Sequence, residues 1–195
     1  MGLPKLIVEA VGMGYLELTG RCLLGLVFLA AVVGKLRNRS AIDEFADSIV
    51  QFGVLPATWT RPAARLVLGA EGVIVLLLAV PGTMPVGYLL AIGLLGVLTG
   101  AMLVAVRRGR RPACLCFGTA GTPIGGRHVA RNILLMAVAV GGLLVTVLND
   151  PPTGIGEVLL AAATAVPLAA IVVRLDDIVD LFAPTSASPT TPSRT

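Results

Sequence analysis

The chain has 195 residues, of which 56% are apolar and only 13% charged, and its mean hydropathy is +0.92. A soluble domain carries about 25% charged residues, and one this small exposes too much surface to hide so many apolar side chains. These values exclude a soluble globule and a disordered chain, and they predict an integral membrane protein. The net charge of +4 then indicates contact with a membrane surface rather than with nucleic acid.

Five apolar runs are long enough to cross a bilayer as helices, which takes about 20 residues each. They lie at 18–36, 64–80, 86–106, 129–148 and 155–173. The runs are apolar on all sides, unlike the alternating segments of about ten residues that build a membrane β-barrel. The sequence therefore predicts an all-α polytopic bundle of about five transmembrane helices over residues 17–174.

Two flanking segments and one connector complete the predicted organisation. Residues 1–16 have no convincing cleavage site, so we expect an interfacial lead-in rather than a signal peptide. Residues 175–195 are rich in Pro, Ser and Thr, and we expect a disordered tail. In the connector after the first run, apolar residues recur at helical spacing, which predicts a short amphipathic helix lying on the membrane. These residues are Ile42, Phe45, Ile49 and Phe52.

The basic residues predict which loops face the cytoplasm, because Lys and Arg accumulate in cytoplasmic loops. The loops after the second and fourth runs contain neither residue type. The loops after the first and third runs are basic, from Lys35 to Arg65 and from Arg107 to Arg131. This alternation predicts a multi-pass protein of the cell membrane with its N-terminus outside and both basic loops and the tail in the cytoplasm.

The second basic loop contains two cysteines, Cys114 and Cys116, separated by one residue. A disulfide between them closes a small, strained ring, and strain makes a disulfide easier to reduce. Nearby cations favour the reactive thiolate, and the loop supplies Arg110, Arg111 and Arg127. The pattern indicates a thiol–disulfide exchange site in which both cysteines are catalytic. The alternative is a pair of cysteines without a redox role.

The remaining single residues give weaker patterns. With His128 the cysteine pair offers three metal ligands, whereas a structural zinc site has four, so we expect no metal site. Cys22 lies near the outer end of the first run, and we expect a small buried apolar residue there. We expect His128, Trp59 and Tyr88 at the membrane interface.

Glu71 lies inside the second apolar run, where a carboxylate is costly and is normally paired or protonated. Its candidate partners are Lys35, Arg21, Arg65 and Arg131, of which Lys35 and Arg131 are the easier to reach at the predicted depth. The sequence predicts an intramembrane ion pair that fixes the packing of two spans. A role in proton or substrate movement is the alternative.

Together these residues are similar to the pattern of the MauE family, within the DoxX-like membrane proteins. The similarity extends over roughly residues 15–150. The matching series reads Arg21, Gly34-Lys35, Phe45, Leu55-Pro56 and Glu71, then Arg107-Arg108-Gly109, Cys114-Leu115-Cys116-Phe117-Gly118 and Arg131-Asn132. The family typically has glycine where this chain has Leu115, and we expect this departure to restrict the turn between the cysteines.

The resemblance implies a polytopic protein tied to methylamine utilisation. Such a protein assists maturation of a periplasmic, disulfide-rich dehydrogenase subunit, together with a thioredoxin-like partner. Because many relatives are redox-associated membrane proteins without an amine pathway, what carries over is an integral membrane thiol–disulfide helper, either an oxidoreductase or an electron carrier. Its expected partners are the lipid bilayer, a thioredoxin-like protein and a secreted disulfide-containing client, with no cofactor.

Two sets of alternatives stay open. Oxidative maturation takes place outside the cell, whereas the cysteine pair is predicted in the cytoplasm. Either a cytoplasmic reductant supplies electrons, or the loop dips into the bundle, or the orientation is reversed. The redox function has two rivals: a non-catalytic scaffold that binds a partner through the basic loop and the connector, and a small transporter that uses Glu71.

Overall fold

The computed structural model describes residues 3–37, 39–109, 126–148 and 154–175. Within these residues the chain forms six α-helices and no β-strand. The helices are α1 (Leu3–Leu36), α2 (Arg39–Phe52), α3 (Ala57–Ala79), α4 (Met84–Arg107), α5 (Gly126–Leu148) and α6 (Ile155–Val173). All except α2 are long and apolar enough to cross a membrane. The predicted polytopic helical bundle with five spans and one short helix is therefore confirmed.

Most of the helices begin before the apolar runs that predicted them. α3 begins at Ala57 instead of at 64, and α5 begins at Gly126 instead of at 129. Their first turns contain polar side chains, Thr60 and His128, which are nevertheless buried against neighbouring helices. Hydropathy alone places the starts of these helices too late in the sequence, because it assigns such polar residues to the region outside the membrane segment.

The first span differs most from its prediction. α1 is helical from Leu3, and its candidate membrane segment starts at Gly12 instead of at 18. The expected lead-in is thus continuous with the span. Cys22 lies ten residues after Gly12, which is about 15 Å along a helix axis. It therefore lies in the first half of the candidate segment.

α1 is the central helix of the bundle. It packs against α3, α5 and α6, while α4 packs between α3 and α5. Because α1, α3, α4 and α5 alternate in direction, the C-terminal ends of α1 and α4 lie beside the N-terminal ends of α3 and α5. We call this end of the bundle the arginine-rich end. Its basic residues include Lys35, Arg61, Arg65, Arg107, Arg108, Arg127 and Arg131.

α2 covers the arginine-rich end of the bundle. Phe45 and Ala46 are buried against Ala64 of α3, and the acidic residues between the apolar positions point outward. The amphipathic pattern therefore predicts the helix and its buried face, but this face packs on other helices instead of lying on lipid. Gly53 ends α2 with a left-handed φ of 63°, a conformation that glycine adopts without steric cost.

Tyr88 of α4 is fully buried in the main apolar core, with Leu24, Ile74 and Ala139 around it. The prediction that Tyr88 anchors the membrane interface is therefore wrong, because its hydroxyl finds a buried acceptor within the bundle. α5 makes room for the ring with Gly142: a Cβ at this position would lie 2.6 Å from Tyr88 Cζ. The residue before it, Gly141, has no atom within 4 Å of its own Cβ position.

We expect Gly142→Ala to lower the stability of the purified protein, because the new methyl group overlaps a ring that has no free space to move into. Overpacking of this kind costs about 1–3 kcal/mol. Gly141→Ala is the matched control, and it is expected to leave stability unchanged or slightly raised, since alanine favours helix over glycine. Thermal unfolding in detergent measures both effects. Equal losses in the two variants would contradict the assignment.

Candidate functional site

The predicted site residues divide into a described and an undescribed group. Cys114, Cys116, Arg110 and Arg111 lie in the segment that joins Gly109 to Gly126, outside the described residues. The described group belongs to the helices and consists of Arg21, Lys35, Glu71, Arg127 and Arg131. The structure therefore shows the contacts of the helical group, whereas the cysteine pair is known by its position in the sequence between α4 and α5.

Lys35 and Glu71 form an ion pair inside the bundle. The Lys35 Nζ atom donates to both carboxylate oxygens of Glu71, at 2.7 and 2.9 Å. Their side chains are only 2% and 4% exposed, so water does not screen the two charges. The pair therefore joins the last turn of α1 to the middle of α3.

Local structure favours this position for the lysine. Lys35 is in the last turn of α1, where the carbonyl end of the helix dipole favours a cation. After the short turn that follows, α2 folds back and places the Phe45 ring over the ammonium group, with 4.7 Å from Nζ to the ring centroid. The negative face of an aromatic ring attracts a cation. One ammonium group thus connects three helices: α1, α2 and α3.

No ion pair with Glu71 is found within the described residues for the other predicted cations, Arg21, Arg65 and Arg131. The Arg21 guanidinium donates to Met84 Sδ at the start of α4, in the half of the bundle away from the arginine-rich end. Arg131 is buried in the second turn of α5. Among the charged side chains of the described helices, Lys35 is the one that contacts Glu71.

Several buried polar residues surround the ends of α4 and α5 at the arginine-rich end. His128 is only 2% exposed, so it lies between the helices, in the first turn of α5. The other buried polar residues of this half are Ser48, Thr60, Thr99, Arg131 and Asn132. This polar interior adjoins the two helix ends between which the cysteine segment is inserted. Across the described ranges, no three His, Cys, Asp or Glu side chains are placed to hold one metal ion.

Cys22, the third cysteine, is half-buried in α1 and forms no disulfide with another described residue. Arg21 and Glu17 are close enough to act on its thiol electrostatically. It is therefore less buried than the sequence analysis predicts and has two ionisable side chains of its own helix nearby.

Glu17 is a buried acidic residue that sequence reasoning did not single out. It is 3% exposed, and its Oε1 accepts a hydrogen bond of 2.8 Å from the Tyr88 hydroxyl. The first predicted apolar run starts at 18, one residue after Glu17, so hydropathy leaves this carboxyl outside the predicted apolar run. A window that starts at Gly12, as the observed span does, would have found an acidic residue inside the membrane.

Comparison with protein families gives one match. A family model described as "Methylamine utilisation protein MauE" matches residues 13–145. The matched region runs from the start of the first candidate span to the last turn of α5. Comparisons with curated proteins and with solved structures find no significant match.

We expect Lys35→Met to destabilise the protein strongly, because it leaves the Glu71 carboxylate buried without its cation. Removing one partner of a buried pair costs about 3–5 kcal/mol. The double variant Lys35→Met/Glu71→Leu removes both charges and is expected to recover most of this loss. Thermal unfolding in detergent compares the single and double variants.

The exposed pair Arg61–Asp43 serves as the control. Its atoms are 4.0 Å apart, and the two side chains are 76% and 64% exposed. Arg61→Met is therefore expected to cost less than about 1 kcal/mol. If the double variant of the buried pair were no more stable than Lys35→Met, the loss would come from packing and not from the unpaired carboxylate.

Proposed function

We propose that this chain, which belongs to the MauE family, is an integral membrane thiol–disulfide redox helper. It supports disulfide formation, and so the maturation, of a partner protein. The observation that carries the proposal is the Cys114-Leu115-Cys116 pair in the arginine-containing segment between α4 and α5. The apolar helices hold this segment at a membrane, and a thioredoxin-like protein is the proposed partner.

The proposed reaction is a dithiol–disulfide exchange. One thiolate of the pair attacks the disulfide of the thioredoxin-like partner, forming a mixed disulfide and releasing the partner's other sulfur as a thiolate. The second cysteine then attacks the mixed disulfide, so that Cys114 and Cys116 are oxidised by two electrons and the partner is reduced by two. Reversal of these steps passes the electrons the other way. Arg110, Arg111 and Arg127 favour the attacking thiolate by their charge.

The contacts of Glu71 support a structural role for this residue in the proposal. Both of its oxygens accept hydrogen bonds from Lys35, so the carboxylate already has a charged partner. This arrangement favours a packing role over transport through Glu71. The proposed work of the pair is to hold α1 and α3 together beside the helices that carry the cysteine segment.

A non-catalytic scaffold is the second candidate function, and one observation favours it. α2 exposes an acidic face, formed by Asp43, Glu44 and Asp47, at the same end of the bundle as the basic segment. Such a face suits recognition of a partner without chemistry. A Cys114→Ser/Cys116→Ser variant that still supports maturation of the client would favour this function over the redox one.

We further propose that the N-terminus lies outside and the C-terminus in the cytoplasm of the cell membrane. Basic loops are retained in the cytoplasm, and the basic residues of the described helices cluster at the arginine-rich end. With this orientation the cysteine pair exchanges electrons with a cytoplasmic partner.

Thiol trapping in membranes tests the redox proposal. Samples are quenched in acid and labelled with a polyethylene glycol maleimide, with and without prior reduction. In a Cys22→Ser background, we expect no adduct before reduction and two after it, because Cys114 and Cys116 protect each other as a disulfide. A Cys114→Ser variant in the same background is the control, and its remaining thiol should be labelled or trapped on a partner. Constant labelling of both cysteines under all conditions would contradict the proposal.

Labelling with a membrane-impermeant maleimide tests the orientation. After reduction, Cys114 and Cys116 are expected to react in inverted membrane vesicles and to stay unlabelled in intact spheroplasts. The Cys22→Ser background removes the third thiol from the measurement. The opposite pattern would reverse the orientation and place the exchange partner outside the cell.

A further inference from the structure

A second buried carboxyl group lies in the half of the bundle opposite the arginine-rich end. Glu17 of α1 meets Tyr88 of α4 and Thr146 of α5. Glu17 is 3% exposed and Tyr88 is fully buried. The proposed thiol chemistry does not use this three-helix cluster, so its role is a separate question.

Among the described residues, too few hydrogen-bond donors surround Glu17 to satisfy an ionised carboxylate. Thr146 has one hydroxyl hydrogen, but its Oγ1 lies 2.7 Å from the Gly142 carbonyl oxygen and 3.2 Å from Glu17 Oε1. The shorter contact is the usual bond from a threonine to the carbonyl four residues before it, and it takes the hydrogen. The contact between Thr146 and Glu17 then lacks a hydrogen unless the carboxyl group supplies one.

The charges around Glu17 lead to the same result. Among the described residues, Glu17 has no cation within 4.0 Å, and its Oε2 atom has no hydrogen-bond partner. Arg21, one turn further along α1, donates to Met84 Sδ instead. An ionised carboxylate inside a membrane requires a close cation or several donors, and here Oε2 has neither.

We propose that the Glu17–Tyr88–Thr146 cluster is a proton-binding site, in which Glu17 is a neutral carboxylic acid. Its proton lies between Glu17 Oε1 and Thr146 Oγ1, and the Tyr88 hydroxyl donates to the same Oε1 atom. Among the described residues, the other titratable or charged groups facing the site are Arg21 and Cys22, both on α1, since each acts electrostatically on Tyr88. Where α6 packs on α1, the Tyr15 hydroxyl of α1 lies 3.1 Å from the Thr164 hydroxyl of α6. The two buried acids thus differ: Glu71 is ionised and paired, and Glu17 binds a proton.

Infrared difference spectroscopy of the purified protein at neutral pH tests this assignment, because it separates the C=O stretch of a carboxylic acid from the two stretches of a carboxylate. Glu17→Gln should remove a carboxylic acid band and leave the carboxylate bands unchanged. Glu71→Gln is the matched control, and it should remove carboxylate bands. Loss of carboxylate bands in Glu17→Gln would overturn the proposal, since Glu17 would then be ionised and share its charge with Arg21.

Tyr88→Phe gives a second measurement that keeps Glu17 and removes only one hydroxyl group. Without this donor, the C=O stretch of a protonated Glu17 should shift within the carboxylic acid region. A change confined to the carboxylate region would overturn the proposal even if Glu17→Gln failed to fold. Because both variants leave Cys114 and Cys116 in place, thiol trapping on the same samples keeps this result separate from the redox proposal.

Discussion

The buried contact between Lys35 and Glu71 is the interaction on which the arginine-rich half of the bundle depends. An ammonium group and a carboxylate, each almost inaccessible to solvent, meet at 2.7 Å, and a Phe45 ring covers the cation. In such surroundings neither charge is tolerated alone. The pair therefore sets the contact between α1 and α3, and the ring brings α2 to the same place.

α1 connects the two polar regions of the bundle. Towards its C-terminus it presents Lys35 to α2 and α3, and towards its N-terminus it presents Glu17 to α4 and α5. Apolar packing around Leu24 separates the two regions. Hydrophobic contact gives helices in lipid little preference for one neighbour over another. Buried polar contacts at both ends of α1 supply that preference, because each one is satisfied by a single set of neighbours.

The proposed chemistry and the proposed proton site lie in different halves of the same scaffold. Thiol–disulfide exchange requires a chain segment that can meet another protein, and the cysteine pair belongs to a connection between helices. The proton site requires the opposite environment, and Glu17 and Tyr88 lie inside the core. A bundle fixed by internal polar contacts provides both environments.

The sequence by itself determined the class of protein, five membrane helices, an amphipathic connector and family membership, because these depend on hydropathy, periodicity and local motifs. It also limited the partners of Glu71 to a few cations, of which the tertiary structure selected Lys35. Tyr88 and Glu17 show what it did not determine: a tyrosine near a span end predicts an interface anchor, and no local pattern singles out Glu17. Only the packing of α1, α4 and α5 decided that the two residues meet in the core, because a buried hydrogen bond depends on which helices become neighbours, and this information is not local in the chain.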